Sequence, residues 1–172
     1  MIRLSEQAGR ALLAAGLKVS TAESCTGGYL AGTLTDVPGS SSWFERGYVT
    51  YSNEAKVQDL GVDPRVLARH GAVSAAVVEQ MAAGALRESG ADLAVAVSGV
   101  AGPDGGTRKK PVGLVYIAVL RRGERVAVSQ GQYSGDRGAV RRAAVEKALR
   151  LITAAALGEL AAPPPPPGKP GR

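Results

Sequence analysis

The run Thr21-Ala22-Glu23-Ser24-Cys25-Thr26-Gly27-Gly28 holds two potential nucleophiles, Ser24 and Cys25, where an extended segment hands over to a helix. A serine at such a junction stands exposed above a sheet edge. The first N–H groups of the following helix lack intrahelical partners and point outward, ready for an anion or an oxyanion. The arrangement follows the logic of a nucleophile elbow without its Gly-x-Ser-x-Gly spacing. The same residues equally describe an ordinary helix cap, with Ser24 or Thr26 as the capping hydroxyl and the glycines turning the chain. Cys25, with no histidine close in sequence, reads as a small buried apolar side chain as readily as a rival nucleophile.

A serine nucleophile needs a base. His70 is the single histidine, in Leu67-Ala68-Arg69-His70-Gly71, a context that reads as a helix C-terminus. A lysine can take the role where desolvation or a neighbouring cation lowers its pKa. Lys56, in Tyr51-Ser52-Asn53-Glu54-Ala55-Lys56, is the candidate, although a lysine this far into a helix ordinarily points to solvent. Tyr51 is placed either to hold the lysine and relay a proton, or simply to pack in the core.

Three further segments bear polar groups suited to a ligand. Ser98 to Thr107, with Gly99, Ala101 and Gly102, is a glycine-rich loop after an apolar run, the usual ligand position in open α/β sheets. Its spacing matches neither the dinucleotide nor the P-loop fingerprint. Gly39-Ser40-Ser41-Ser42 is a polar turn in which Ser41 offers another hydroxyl. Arg137 and Arg141 open the last helix, where a guanidinium suits a phosphate.

The elements that must position these residues follow from periodicity. Leu4, Ala8, Ala11, Leu12 and Ala15 are spaced for a helix stopped by Gly16. A short strand over 18–22 precedes a helix from Gly27 to about Thr35, ended by Asp36-Val37-Pro38-Gly39. Residues 43–51 are aromatic and β-branched, hence a strand. Short helices follow over 54–60 and 65–69, with Pro64 at a first-turn position, then a longer helix capped by Ser74 and reaching Ser89. Residues 91–98 form an apolar run expected as a strand buried on both faces. Strands over 112–121 and 125–133 turn at Gly123, and a helix over 135–157 closes the order. Mixed helices and strands predict an α/β fold, a three-layer α/β/α sandwich around a mixed sheet.

Composition narrows the possibilities. The chain has 172 residues, 45% hydrophobic and 21% charged, and so is expected to be one globular domain over 1–160, followed by a Pro-rich flexible tail, 161–172. One cysteine excludes an internal disulfide, and one histidine excludes a multi-histidine metal centre. The net charge of +6 is dispersed in pairs such as Arg121-Arg122 and Arg141-Arg142 rather than gathered in a stripe, which argues against nucleic acid as partner. The N-terminus lacks a signal-peptide pattern and no apolar run reaches membrane-span length, so no membrane partner and a cytoplasmic location are expected. Ala-rich helices in a small domain are compatible with a homodimer. Aromatics make up only 4%, and five of the seven fall between Tyr29 and Tyr51, including Trp43, Phe44 and Tyr48. That clustering suggests either a dry wall around Lys56 or one aromatic core patch.

Several of these blocks, in order, resemble the C-terminal domain of the competence-damage-inducible CinA family, the nicotinamide-nucleotide amidohydrolases. The matching stretches include Thr21–Gly28, Thr35–Ser41 with Trp43-Phe44, Gly47–Lys56, Gly71–Ser74, Gly99–Gly106, Lys110–Gly113 and Gly135–Arg137, across roughly residues 5–155. The resemblance implies hydrolysis of the carboxamide of nicotinamide mononucleotide to nicotinate mononucleotide and ammonia, a step of the pyridine nucleotide cycle. It implies neither metal nor organic cofactor, and a small-molecule nucleotide as substrate. It implies a Ser-Lys dyad, with Ser24 as nucleophile, Lys56 as base, Tyr51 assisting and Ser41 as a further participant. Thr26, Gly27, Gly28, Gly99, Ala101, Gly102, Arg137 and Arg141 would then bind the substrate, with amides near Gly27 and Gly28 holding the oxyanion. A non-catalytic nucleotide- or partner-binding module is the alternative. Ser98 stands where the family commonly has threonine, and larger family members carry an additional N-terminal domain.

Overall fold

The computed structural model describes residues 1–160; the expectation of a flexible Pro-rich tail falls outside the described residues. The chain runs α1 (Ile2–Ala15), β1 (Val19–Glu23), α2 (Tyr29–Thr35), a 3-10 turn (Ser40–Ser42), β2 (Phe44–Val49), α3 (Asn53–Leu60), α4 (Pro64–His70), α5 (Ala75–Ser89), β3 (Leu93–Gly99), β4 (Leu114–Arg121), β5 (Ala127–Gln132) and α6 (Arg137–Ala156). This is the expected order, with boundaries moved by at most two residues. Local signals set many ends: Gly16 stops α1 in the left-handed conformation at φ 66°, and Ser74 accepts the Val77 amide at 3.3 Å to start α5.

The sheet has five strands in the order β2-β1-β3-β4-β5. β2, β1 and β3 are parallel, whereas β4 and β5 are antiparallel, so the sheet is mixed. Side chains alternate between its faces as the pleat requires. Leu93, Val95, Val97, Val115, Ile117 and Val119 face a core shared with α1, α2 and α6. Ala22, Ala94, Ala96 and Ala118 face the other core, shared with α3, α4 and α5. Alanine on that face lets α5 lie close to the strands, and α5 meets α3 closely too: a Cβ on Gly84 would sit 2.0 Å from the Leu60 carbonyl oxygen. The result is the three-layer sandwich. Among the described residues no helix is long and apolar enough to cross a membrane.

From β1 the chain crosses through α2 to β2 on one side, and the later crossover through α3, α4 and α5 brings β3 to the other side of β1. The strand order therefore reverses at β1. In open α/β sheets the crevice beyond the carboxyl ends of the strands at such a reversal is where ligands bind. The loops that leave β1, β2 and β3 begin at Ser24, Thr50 and Val100, so the fold itself brings three of the candidate segments to one place.

Candidate active site

Ser24 follows the last residue of β1, and its amide donates to the Val97 carbonyl of β3 at 2.9 Å. The next residues form a turn closed by the Gly27 amide on the Ser24 carbonyl at 3.0 Å, with Gly27 and Gly28 at φ 58° and 89°. Only glycine adopts this backbone without strain, which explains the pair at this position. Ser24 is half-buried and lines a cleft of about 290 Å³ together with Cys25, Tyr51, Val73, Gly99, Ala101, Gly102 and Arg137.

Lys56 reaches the same place from α3. Its Nζ lies 3.1 Å from Ser24 Oγ, across a sequence separation of 32 residues. Contrary to the ordinary expectation for a lysine in a short helix, it is fully buried, on the same helix face as buried Leu60. The remaining partners of the amine are backbone carbonyls, Thr50 at 2.7 Å and Tyr51 and Ser52 at 3.4 Å each. No carboxylate among the described residues bonds to it. Burial therefore pushes its pKa below the usual lysine range. A neutral amine has two N–H groups to give to the carbonyls and one lone pair, which can accept the Ser24 hydroxyl proton across the 3.1 Å contact. This is the state in which Lys56 can take a proton from Ser24.

Tyr51 contributes to the amine only through its carbonyl. Its phenol is exposed and accepts from the Arg137 guanidinium at 2.9 Å, while Arg137 also donates to the Gly102 carbonyl at 3.0 Å. Arg137 thus bridges two walls of the cleft and pairs with no carboxylate among the described residues. Arg141, one turn on, donates to the Thr26 carbonyl at 2.8 Å and lies over the Tyr29 ring. Ser98 is buried and donates to the Ala72 carbonyl at 2.8 Å, fixing the wall opposite Ser24. Cys25 is buried beside Ser24, and burial pushes its thiol up to about 11, so it is a poor nucleophile at neutral pH.

Several expected features lie elsewhere. Ser41 sits exposed in the 3-10 turn before β2, whereas Ser24 follows β1, which runs parallel to it. Six residues of strand at ~3.3 Å each place roughly 20 Å between these ends of the sheet. The amides of Gly27 and Gly28 are not free for an oxyanion: the first is on Ser24 and the second on Glu23 Oε2 at 3.1 Å. Within the turn, the Cys25 and Thr26 amides have no hydrogen-bond acceptor among the described residues. The aromatic wall is also absent. Trp43 is buried in the core against α1, Phe44 and Tyr48 pack on opposite faces of the sheet, and only Tyr51 lines the cleft.

Sequence reasoning missed Glu23. It is fully buried, one residue before Ser24, and its carboxylate accepts three backbone amides around the start of α2. An acidic residue ending an apolar strand was the available signal.

Comparison with known proteins places these features in a family. The model of the CinA C-terminal domain matches residues 1–156. The nicotinamide-nucleotide amidohydrolase PncC of Escherichia coli is 56% identical over 153 residues, covering 88% of this chain and 92% of that protein. A relative of the same name from Pseudomonas putida is 54% identical over 146 residues, covering 85% and 91%. The crystal structure of the competence/damage inducible protein CihA from Agrobacterium tumefaciens superposes with a TM-score of 0.87 at 46% identity, covering 89% of this chain and 93% of that one.

Proposed function

The chain belongs to the CinA C-terminal domain family and is an amidohydrolase, and from that premise we propose that it hydrolyses the carboxamide of nicotinamide mononucleotide to nicotinate mononucleotide and ammonia, with Ser24 as nucleophile and Lys56 as general base. The observation that carries this reading is the buried Lys56 amine at 3.1 Å from Ser24 Oγ, surrounded by carbonyl oxygens.

The steps balance. Ser24 Oγ attacks the amide carbon as its proton passes to the neutral Lys56 amine. The amides of Cys25 and Thr26, the central residues of the turn, are the donors available for the oxyanion, each such donor contributing about 3–4 kcal/mol. Lys56, now an ammonium, returns the proton to the leaving nitrogen, and ammonia departs. Water then attacks the acyl-serine ester, again losing a proton to Lys56, which reprotonates Ser24 as the carboxylic acid leaves and ionises to solvent. Arg137, without a carboxylate partner at the cleft, suits the phosphate of the nucleotide, and Tyr51 offers the one ring of the cleft to the pyridine.

Ammonia release from nicotinamide mononucleotide by the purified, folded protein tests the reading, with loss of turnover expected in Ser24→Ala and Lys56→Ala. No release by the wild type overturns the substrate. Full activity in Ser24→Ala overturns the nucleophile. Tight binding of the nucleotide in calorimetry without turnover supports a binding module instead.

A further inference from the structure

Glu23 occupies an unusual position. Its carboxylate is 0% exposed, forms no ion pair among the described residues, and is satisfied by the backbone: Oε2 accepts from the Gly28 and Leu30 amides at 3.1 and 2.9 Å, and Oε1 accepts from the Ala31 amide at 2.8 Å. The Thr21 hydroxyl adds a longer bond at 3.4 Å. Gly28, at the N-cap of α2, has no side chain to do this work. Glu23 therefore caps α2 from five to eight residues upstream and ties the end of β1 to the start of the helix.

The chain enclosed by that tie is the turn bearing Ser24. It is fixed at one end by the Ser24 amide on Val97 and internally by the Gly27 amide on the Ser24 carbonyl. With Gly28, Leu30 and Ala31 held by the carboxylate, the helix start is closed to an outside anion. The amides left over are those of Cys25 and Thr26, next to the Ser24 hydroxyl. Glu23 itself makes no hydrogen bond to Lys56 or Ser24, and it is not among the residues lining the cleft.

We infer that Glu23 is the positioning residue of the reaction: resting on the Ser24–Lys56 reading above, its buried carboxylate holds the turn so that Ser24 Oγ meets Lys56 and the adjacent amides meet the oxyanion. It does this through the backbone, without touching the reacting atoms. Misplacement of a nucleophile by about 1 Å can cost ~100-fold. In Glu23→Gln the size is kept, but an amide NH₂ replaces one acceptor and faces a backbone donor. We expect kcat to fall between about 10- and 100-fold with KM within twofold of wild type. The acid limb set by Lys56 stays where it was, because Glu23 does not contact the amine. Labelling of Ser24 by a fluorophosphonate probe slows in parallel with kcat. Thr21→Val, which removes only the outermost bond, is expected to lower kcat at least twofold with KM unchanged, and it decides the question if Glu23→Gln does not fold. A folded Glu23→Gln with wild-type kcat and labelling rate, or an unaffected Thr21→Val where only that variant folds, overturns the inference. A wild-type protein whose Ser24 is not labelled, or an active Ser24→Ala, overturns the dyad reading instead.

Discussion

The two ends of β1 and β2 use similar residues for opposite purposes. At the entry end, the hydroxyls of Ser40, Ser41 and Ser42 are exposed or half-exposed, and Trp43 is buried with its carbonyl on the Val19 amide at 2.8 Å. Its ring fills the space above Gly9 of α1, where a Cβ would approach to 2.8 Å. At the exit end the buried groups are polar: Glu23, Thr26, Thr50 and Lys56. Hydroxyl density alone makes no site. What separates the ends is that one buries apolar area, which stabilises, while the other buries ionisable groups, which costs stability unless hydrogen bonds replace water.

That contrast can be broken at several points, the largest effect first. Ser24→Ala is expected to lower kcat by about 10⁴-fold or more, measured as ammonia released per folded molecule. Lys56→Met is expected to lower kcat by roughly 10³-fold, within the range of general-base catalysis. Its stability carries a second signature. Burial lowers the Lys56 pKa in the folded protein, so the unfolded chain binds more protons between that pKa and the ordinary lysine value of 10.5. Wild-type stability therefore rises with pH through that window, and the advantage of Lys56→Met in thermal unfolding is greatest below it and shrinks toward pH 10.5. Wild-type kcat/KM should rise with pH up to the lowered folded-state pKa and level off above it, because only the neutral amine accepts the Ser24 proton. A flat profile, or a limb that persists in Lys56→Met, would remove the lysine from the base role.

At the entry end the balance is reversed. Trp43→Ala is expected to cost about 3–5 kcal/mol in denaturant unfolding, with kcat per folded molecule unchanged. Ser41→Ala is expected to leave both stability and kcat within error, with any change in activity under about twofold. A large loss of activity in Ser41→Ala would show that the two ends communicate and act as one site.

Much of this was legible in the residues. Leu4-Ala8-Ala11-Leu12 repeats at helical spacing, Gly16 and Ser74 mark helix ends, and the 91–98 run marks the central strand, because each signal acts within a few residues of itself. The residues offered Ser24 and Lys56 as candidates beside blander readings, and the resemblance to CinA domains implied their pairing as a dyad. Less legible were Ser41 and the aromatic cluster. Trp43, Phe44 and Tyr48 are close in sequence, yet Trp43 precedes β2, and the register shift just after Phe44, where β2 pairs with Val19 and Ser20, puts Phe44 and Tyr48 on opposite faces. Proximity along a strand is not proximity in space.

The sequence by itself determined the elements, their order, the mixed sheet and the strand-to-helix turn at Ser24, since propensity, capping and hydrophobic period are local quantities. Only the tertiary structure decided which polar groups lose water. Lys56 is buried because α3 sets it over the carbonyls that follow β2, and Glu23 is buried because α2 begins directly above the end of β1. Desolvation, and with it the chemistry of the amine, depends on every segment packed around a group, and those segments lie tens of residues apart.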